Sequence, residues 1–178
     1  MPEYEKRWNR FSRSVGNSWR IDETHISIRG KWHCLYRAVD KQGKSVDFLL
    51  RRDRGSAAAQ AFFRKALATH RNRWLRKVTM DDHVPGHRAL RLFQREDPRW
   101  RNVEVRTCEY LNNIVDQDHR AIKRRYASMA GFKSLENAAI TIAGIEWGHR
   151  IYNRQFSFGV GRPRRERSLN VRWDRALA

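Results

Sequence analysis

The sequence predicts an α/β fold with a mixed five-stranded sheet, an antiparallel meander first, flanked by helices. Two observations carry this prediction. Within the first fifty residues, apolar and polar side chains alternate in three runs separated by short glycine-containing turns, which is the pattern of half-buried antiparallel strands. Beyond that point, helix-forming runs alternate with short strand-like runs, which indicates helices that cover a partly parallel sheet.

Each element is predicted from a local signal. The first strand, Trp19 to Ile28, alternates apolar and polar residues, and a turn follows at 29–31. The other strands are predicted at 32–39, 46–50, 77–80 and 102–106. The helices are predicted at 57–67, about 87–93, from 112 through 125, and from about 134 to 152. Ser56 and Ser134 are the predicted N-caps. This order of elements resembles the ribonuclease-H-like fold.

The charge predicts a polyanionic partner. The 178 residues include 38 Lys plus Arg against 19 Asp plus Glu, a net charge of +19. So basic a chain repels itself in the compact state, and nucleic acid is the leading candidate to relieve this. No window approaches the ~18 uncharged apolar residues of a membrane span. The two cysteines fit no metal-binding spacing. We therefore expect a cytoplasmic protein with no membrane contact.

Composition divides the chain into three parts. Residues 1–17 are a polar, basic lead-in, residues 18–155 hold the predicted α/β domain, and residues 156–178 form a basic tail. Clusters of Lys and Arg within 64–77, at 120–125 and within the tail favour contact with a DNA backbone.

Three aspartates occupy positions where carboxylates could act together. Asp22 lies within the first strand, Asp81 ends the fourth, and Asp116 lies in the first turns of the long helix. In a strand order of this kind the first and fourth strands are neighbours, and a helix crossing their ends could add the third carboxylate. Such hard oxygen ligands suit Mg²⁺ or Mn²⁺. Two ions of this kind can activate one oxygen of a phosphodiester and stabilise the leaving oxygen.

Several motifs in order resemble the catalytic domain of bacterial DDE transposases of the insertion-sequence-six family. The resemblance covers about residues 3–155. The motifs are WRIDET at 19–24, GKW at 30–32, LYRAVD at 35–40, YLNNIVDQDHRAIKRR at 110–125, GFKS at 131–134 and TIAGIE at 141–146.

This resemblance implies a catalytic and metal-binding set made of Asp22, Asp81 and Asp116, with Mg²⁺ (or Mn²⁺) as the cofactor. Asp82 is adjacent, but the strand-like residues before it favour Asp81. Asp116 follows Asp81 with 34 residues between them, the spacing of the family. Lys123 lies two helical turns further on, facing the same way, where it could contact substrate phosphate. The basic residues around it complete the expected DNA contact: Arg120, Arg124 and Arg125.

The resemblance also implies the activity and the partners. The expected function is transposition by metal-dependent cleavage and joining of double-stranded DNA, at transposon ends and in target DNA, by a homo-oligomer beside the nucleoid. The chain departs from the family in two ways. Asp116 stands where the family has glutamate, and only 17 residues precede the first strand, too few for the family's helix-turn-helix segment. We therefore expect a truncated copy with weak strand transfer and little preference for any DNA end. The alternative is a catalytically impaired remnant that only binds DNA.

Overall fold

A five-stranded mixed sheet forms the centre of the protein in a computed structural model, which describes residues 11–70, 74–82, 84–108 and 131–157. The strands run in the order β3-β2-β1-β4-β5 across the sheet. The strands are β1 (Ser18–Ile28), β2 (Lys31–Asp40), β3 (Ser45–Arg51), β4 (Lys77–Met80) and β5 (Glu104–Thr107). The helices are α1 (Ser56–Thr69), α2 (Val84–Glu96) and α3 (Leu135–Tyr152), with a 3-10 turn at Pro98–Asn102.

The sheet combines an antiparallel meander of three strands with two further strands that pair in parallel. β1, β2 and β3 pair antiparallel in sequence order, while β4 pairs parallel with β1 and β5 pairs parallel with β4. Parallel neighbours need a crossover connection, and α1 and α2 lie in those connections. The predicted mixed sheet with its meander first is confirmed, and β1 is its central strand.

The two faces of the sheet are covered by different helices. On one face, Trp19 and Ile21 of β1 join a core with Phe62 and Phe63 of α1 and with residues of α2. On the other face, Ile26 of β1 packs in a second cluster with α3 residues such as Ile142. Because successive side chains of a strand point to opposite faces, Asp22 shares the α3 face with Ile26.

The structure differs from the prediction at the start of α2. α2 begins at Val84 rather than near His87. Pro85 is tolerated in a first helical turn, where no amide hydrogen bond is lost. Gly86 lets the helix approach the sheet, since a Cβ built on it would lie 3.1 Å from Met80 Sδ.

The predicted helix caps have different outcomes. The prediction of Ser56 as an N-cap is wrong, because Gly55 occupies the cap without a side-chain bond and Ser56 is already helical. The predicted cap at Ser134 is confirmed, because its hydroxyl accepts a 3.1 Å hydrogen bond from the amide of Asn137. β5 begins two residues later than expected, at Glu104.

Both ends of the described chain meet beside the domain. Ser12 forms an isolated bridge with Phe156, and Val15 is 2% exposed.

The long helix predicted from residue 112, with Asp116 and the basic residues after it, lies outside the described residues, as does the tail from residue 158. Within the described part, no helix is both long and apolar enough to cross a membrane.

Candidate active site

Asp22 and Asp81 lie at the same level of two neighbouring strands. The parallel pairing of β1 with β4 joins residue 18 to 77, 19 to 78 and 20 to 79. Asp22 and Asp81 each lie two residues beyond the last pair of this register, Arg20 with Thr79. Both residues border one small cleft that residues of α1 and α2 also line. The parallel register therefore brings two residues that are 59 positions apart in the sequence to the same cleft.

Asp22 is held in place by the central strand. It is half-buried, and Ile21 before it and Thr24 after it in the strand are buried. Its Oδ1 accepts a 2.8 Å hydrogen bond from the backbone amide of Glu23. Such a bond orients the carboxylate.

Asp81 is positioned by the close approach of α2 to the end of β4. Its carbonyl oxygen lies 3.0 Å from Nε2 of His87, one turn into α2. The carbonyl of Met80 accepts a 3.1 Å bond from the amide of Cys108, which ties the same strand end to the chain after β5. The neighbouring Asp82 is exposed, whereas Asp81 is half-buried at the cleft.

A third carboxylate, Glu23, also lines the cleft and lies on the same face of β1 as Trp19 and Ile21. Its Oε2 accepts a 2.8 Å bond from Nε of Arg54 and a 3.6 Å bond from the thiol of Cys34. Burial raises the pKa of Glu23, Arg54 opposes that rise, and the charge of Asp81 adds to it. The Glu23 side chain is therefore committed to Arg54 and helps to set the negative charge around Asp81.

The thiol of Cys34 is predicted to be unreactive in the folded protein. Burial, with Glu23 close by, raises its pKa to about 12. At pH 8 only about one thiol in 10⁴ is then a thiolate, the reactive form. In a Cys108→Ser variant, we expect a thiol reagent such as Ellman's reagent to label the native chain only at the rate of unfolding. The same variant in denaturant should label at once, and rapid labelling of the native chain would contradict the burial of Cys34.

A buried ion pair lies directly beside Asp22. Arg37 of β2 is the cross-strand partner of Asp22 and is completely buried. Its guanidinium donates to both carboxylate oxygens of Glu146 in α3, at 2.5 and 3.2 Å, and to the Ser45 hydroxyl at 3.1 Å. Because Glu146 is also buried, the two charges compensate each other. Sequence reasoning missed this pair, although each partner is a charged residue inside an apolar run.

The donor set fits a divalent cation as far as the structure describes it. Asp22 and Asp81 supply hard carboxylate oxygens, which Mg²⁺ and Mn²⁺ prefer. Across the ranges given above, no three His, Cys, Asp or Glu residues gather closely enough to hold a metal. The predicted third ligand, Asp116, lies outside the described residues, as do the predicted DNA contacts Lys123, Arg120, Arg124 and Arg125.

The first basic cluster is partly neutralised. Lys65 of α1 forms an ion pair with Asp47 of β3, and Lys77 of β4 forms one with Glu104 of β5 at 3.0 Å. Arg64 lies over the Phe93 ring, with 5.3 Å from Cζ to the ring centroid. The charges of Lys65 and Lys77 are therefore compensated by neighbouring carboxylates, so these two residues contribute less positive field than the sequence indicates.

Comparisons with known proteins match most of the chain. The family model described as a DDE domain matches residues 16–155. The transposase for insertion sequence-like element IS431mec of Staphylococcus aureus is 33% identical over 147 residues. The transposase for insertion sequence element IS257 in transposon Tn4003, also from Staphylococcus aureus, has the same identity over the same length. Each alignment covers 83% of this chain and 63% of the relative, so the chain spans less than two thirds of these curated relatives.

Solved structures share the fold at low sequence identity. The magnesium complex of the HTLV-2 integrase catalytic core domain, in its trimeric form, aligns with a TM-score of 0.55 and 16% identity, over 76% of this chain and 86% of that one. A chain of the simian T-cell lymphotropic virus intasome in complex with PP2A regulatory subunit B56 gamma aligns with a TM-score of 0.53 and 17% identity, over 76% of this chain and 50% of that one. The predicted ribonuclease-H-like fold is thereby confirmed.

Proposed function

The chain belongs to the DDE-domain family of insertion-sequence transposases, the insertion-sequence-six family, and from that premise we propose that it cleaves and rejoins DNA in a metal-dependent reaction. The observation that carries this proposal is the parallel register that sets Asp22 and Asp81 on one cleft. Two carboxylates on adjacent central strands are a suitable base for a cation that must meet a phosphodiester.

Asp22, Asp81 and Asp116 are the proposed metal ligands. A divalent cation held by them would supply Lewis-acid activation of the attacking oxygen and stabilisation of the leaving oxygen. The β1–β4 register supports the choice of the first two, because it sets their strands side by side, and the amide of Glu23 donates to Asp22. Lys123, Arg120, Arg124 and Arg125 are proposed to hold the DNA backbone, because they follow Asp116 within nine residues of the sequence.

The proposed substrate is double-stranded DNA, both transposon ends and target. The net charge of +19 supports a polyanionic substrate. A homo-oligomer is also proposed, since transposition joins two DNA ends, and solved HTLV-2 integrase cores occur in trimeric and dimeric forms. Such a protein would act in the bacterial cytoplasm next to the nucleoid. The proposed organisation keeps residues 18–155 as the catalytic domain, preceded by the lead-in 1–17 and followed by the basic tail 156–178.

Nicking of supercoiled plasmid tests the proposed activity. The full chain is incubated with plasmid and Mg²⁺, Mn²⁺ or EDTA, and the fraction of open circles is measured over time. We expect nicking with either metal and none with EDTA. Plasmid binding without any metal-dependent nicking would contradict the proposal and favour a remnant that only binds DNA.

Restoring glutamate at position 116 is expected to increase activity. Aspartate is one methylene shorter, so its carboxylate lies roughly 1–1.5 Å short of the position a glutamate would reach, and a misplacement of ~1 Å can cost about 10²-fold in rate. We expect Asp116→Glu to raise the rate of strand transfer up to about 100-fold, measured with a labelled DNA end and a plasmid target. Asp118→Glu, two residues along, is the matched control and should leave the rate unchanged. Equal rates for the parent and Asp116→Glu would contradict the argument from side-chain length.

A further inference from the structure

A basic groove lies at the tip of the β1–β2 hairpin, where the start of α3 packs against it. Six residues line the groove with charged or polar groups or with an exposed ring: Arg29, Lys31, Trp32, His33, Arg52 and Ser134. The groove holds about 510 Å³. Among the described residues that line it none is acidic, and three are cationic at neutral pH: Arg29, Lys31 and Arg52. That combination favours an anion as the occupant.

The hairpin tip is held firmly by the segment that precedes α3. Arg29 and Gly30 form the turn with φ values of 52° and 72°, the left-handed region that tight hairpin turns require. The amide of Arg29 donates to the carbonyl of Phe132 at 2.9 Å, and the amide of Phe132 donates back to the carbonyl of Ser27 at 3.3 Å. Phe132 itself is buried, so the groove is built on an ordered part of the fold.

Trp32 presents an aromatic surface at this groove. It is 69% exposed, whereas Trp19 and Trp100 are buried in the core. Its ring meets the edge of the His25 ring at a centroid distance of 6.4 Å, which restricts how far the ring can turn. An exposed tryptophan beside cations is the arrangement with which proteins stack an unpaired base while binding its phosphates.

The groove lies at the far end of β1 from the candidate active site. β1 continues six residues from Asp22 to Ile28, about 20 Å at the rise of a strand. β4 ends at Met80, near the level of Asp22, so the hairpin projects beyond β4 on that side of the sheet. Twenty ångströms is about six base-pair steps of DNA at 3.4 Å each.

We propose that this groove binds a single DNA strand flanking the cleavage site, with phosphates on Arg29, Lys31 and Arg52 and one unpaired base stacked on Trp32. The proposal rests on the proposed function, because it takes DNA as the substrate. It adds a specific surface and a preference for an unpaired strand over a blunt duplex. The cationic residues that line the groove would repel a second copy of this chain, whose net charge is +19.

The test compares two DNA probes with the full chain. One is a blunt duplex, and the other is the same duplex with a single-stranded overhang; both carry a fluorophore, and binding is followed by anisotropy in EDTA. We expect Trp32→Ala to weaken overhang binding about tenfold and to leave blunt-duplex binding within twofold. Trp32→Phe should restore most of the loss, because phenylalanine also stacks. Tyr152→Ala, which removes another exposed aromatic ring, is the matched control and should change neither affinity.

The salt dependence tests the cationic part of the groove. A Lys31→Gln and Arg52→Gln double variant should reduce the slope of log affinity against log salt by between one and two for the overhang probe. Arg95→Gln, at an exposed position near the end of α2, should not reduce it comparably. An unchanged slope in the double variant would overturn the assignment of these cations to phosphates.

The outcomes separate this proposal from the proposed function. If the parent chain binds neither probe, the DNA substrate itself is wrong. If it binds both probes and Trp32→Ala does not change overhang affinity, only the groove is wrong. Loss of self-association in Trp32→Ala by analytical ultracentrifugation, with DNA binding unchanged, would assign the groove to a second copy and overturn the proposal. Circular dichroism melting should show that each variant folds like the parent.

Discussion

Asp22→Asn is expected to abolish metal-dependent nicking, with a loss on the order of 10³-fold or more. The substitution removes one negative charge and one oxygen ligand from the proposed cation site, and members of one catalytic unit typically lose most of the rate when any one is removed. The asparagine side chain keeps an Oδ1 that can accept the amide hydrogen bond of Glu23, so the local fold should persist. Asp81→Asn should have an effect of the same size.

Asp82→Asn is the matched control for both variants. Asp82 is adjacent to Asp81, carries the same charge and is exposed, so its loss tests whether charge alone matters near the end of β4. We expect Asp82→Asn to nick at nearly the parent rate. A large loss in Asp82→Asn together with normal rates in Asp81→Asn would move the second ligand by one residue.

DNA binding separates the loss of chemistry from the loss of substrate. Removing a carboxylate from a basic protein should leave its affinity for DNA unchanged or slightly higher, because the positive field increases. We therefore expect Asp22→Asn to bind plasmid at least as tightly as the parent in EDTA. If nicking by Asp22→Asn equals that of the parent at every metal concentration, then Asp22 is not a ligand of the reactive cation.

The elements that position the candidate site could be predicted because their signals are local. β1 alternates apolar and polar residues at both of its ends, and β4 is a short run from Lys77 to Met80 that an aspartate follows directly. The start of α2 could not be predicted as easily, because proline and glycine in sequence usually indicate a turn. Gly86 is explained by a contact that forms only in the folded protein, because a Cβ at this position would lie 3.1 Å from Sδ of Met80.

The charged groups around Asp22 could not be paired from the sequence. Arg37 and Glu146 are 109 residues apart, and nothing local to either one names the other. The available signal was that each charge interrupts an apolar run, which indicates a buried and therefore compensated group. The same holds for Glu23 and Arg54, which are separated by 31 residues and meet at the edge of the cleft.

Glu146→Gln is expected to lower the free energy of unfolding by about 3–5 kcal/mol. Glutamine has nearly the shape of glutamate but carries no charge, so Arg37 would remain buried without a compensating anion. Glu146 is 2% exposed and Arg37 is 0% exposed, so water cannot replace the lost carboxylate without opening the contact between α3 and the sheet. Denaturation in urea, followed by circular dichroism, measures the loss.

Two further variants isolate the charge as the cause. Glu136→Gln changes an exposed carboxylate in the first turn of the same helix and should cost less than about 1 kcal/mol, the size of a helix-dipole contribution. The double variant Arg37→Met and Glu146→Leu replaces the buried pair with apolar side chains of similar size, and such replacements are often neutral or stabilising. We expect it to recover most of the stability lost in Glu146→Gln. A Glu146→Gln chain as stable as the parent would show that the pair is not a buried, mutually compensated one.

The same variant connects stability with the candidate site. Arg37 is the cross-strand neighbour of Asp22, and directly opposed side chains on one face of a sheet have Cβ atoms about 5 Å apart. With Glu146 in place, the guanidinium is directed to α3 and its charge is compensated, so it competes little with a cation for Asp22. In Glu146→Gln, the uncompensated guanidinium would be attracted to Asp22, and half-maximal nicking should need a higher Mg²⁺ concentration. The apolar double variant has no guanidinium at this position, so it should need no more Mg²⁺ than the parent. A purely structural role for the pair would not predict this difference in Mg²⁺ requirement between the two variants.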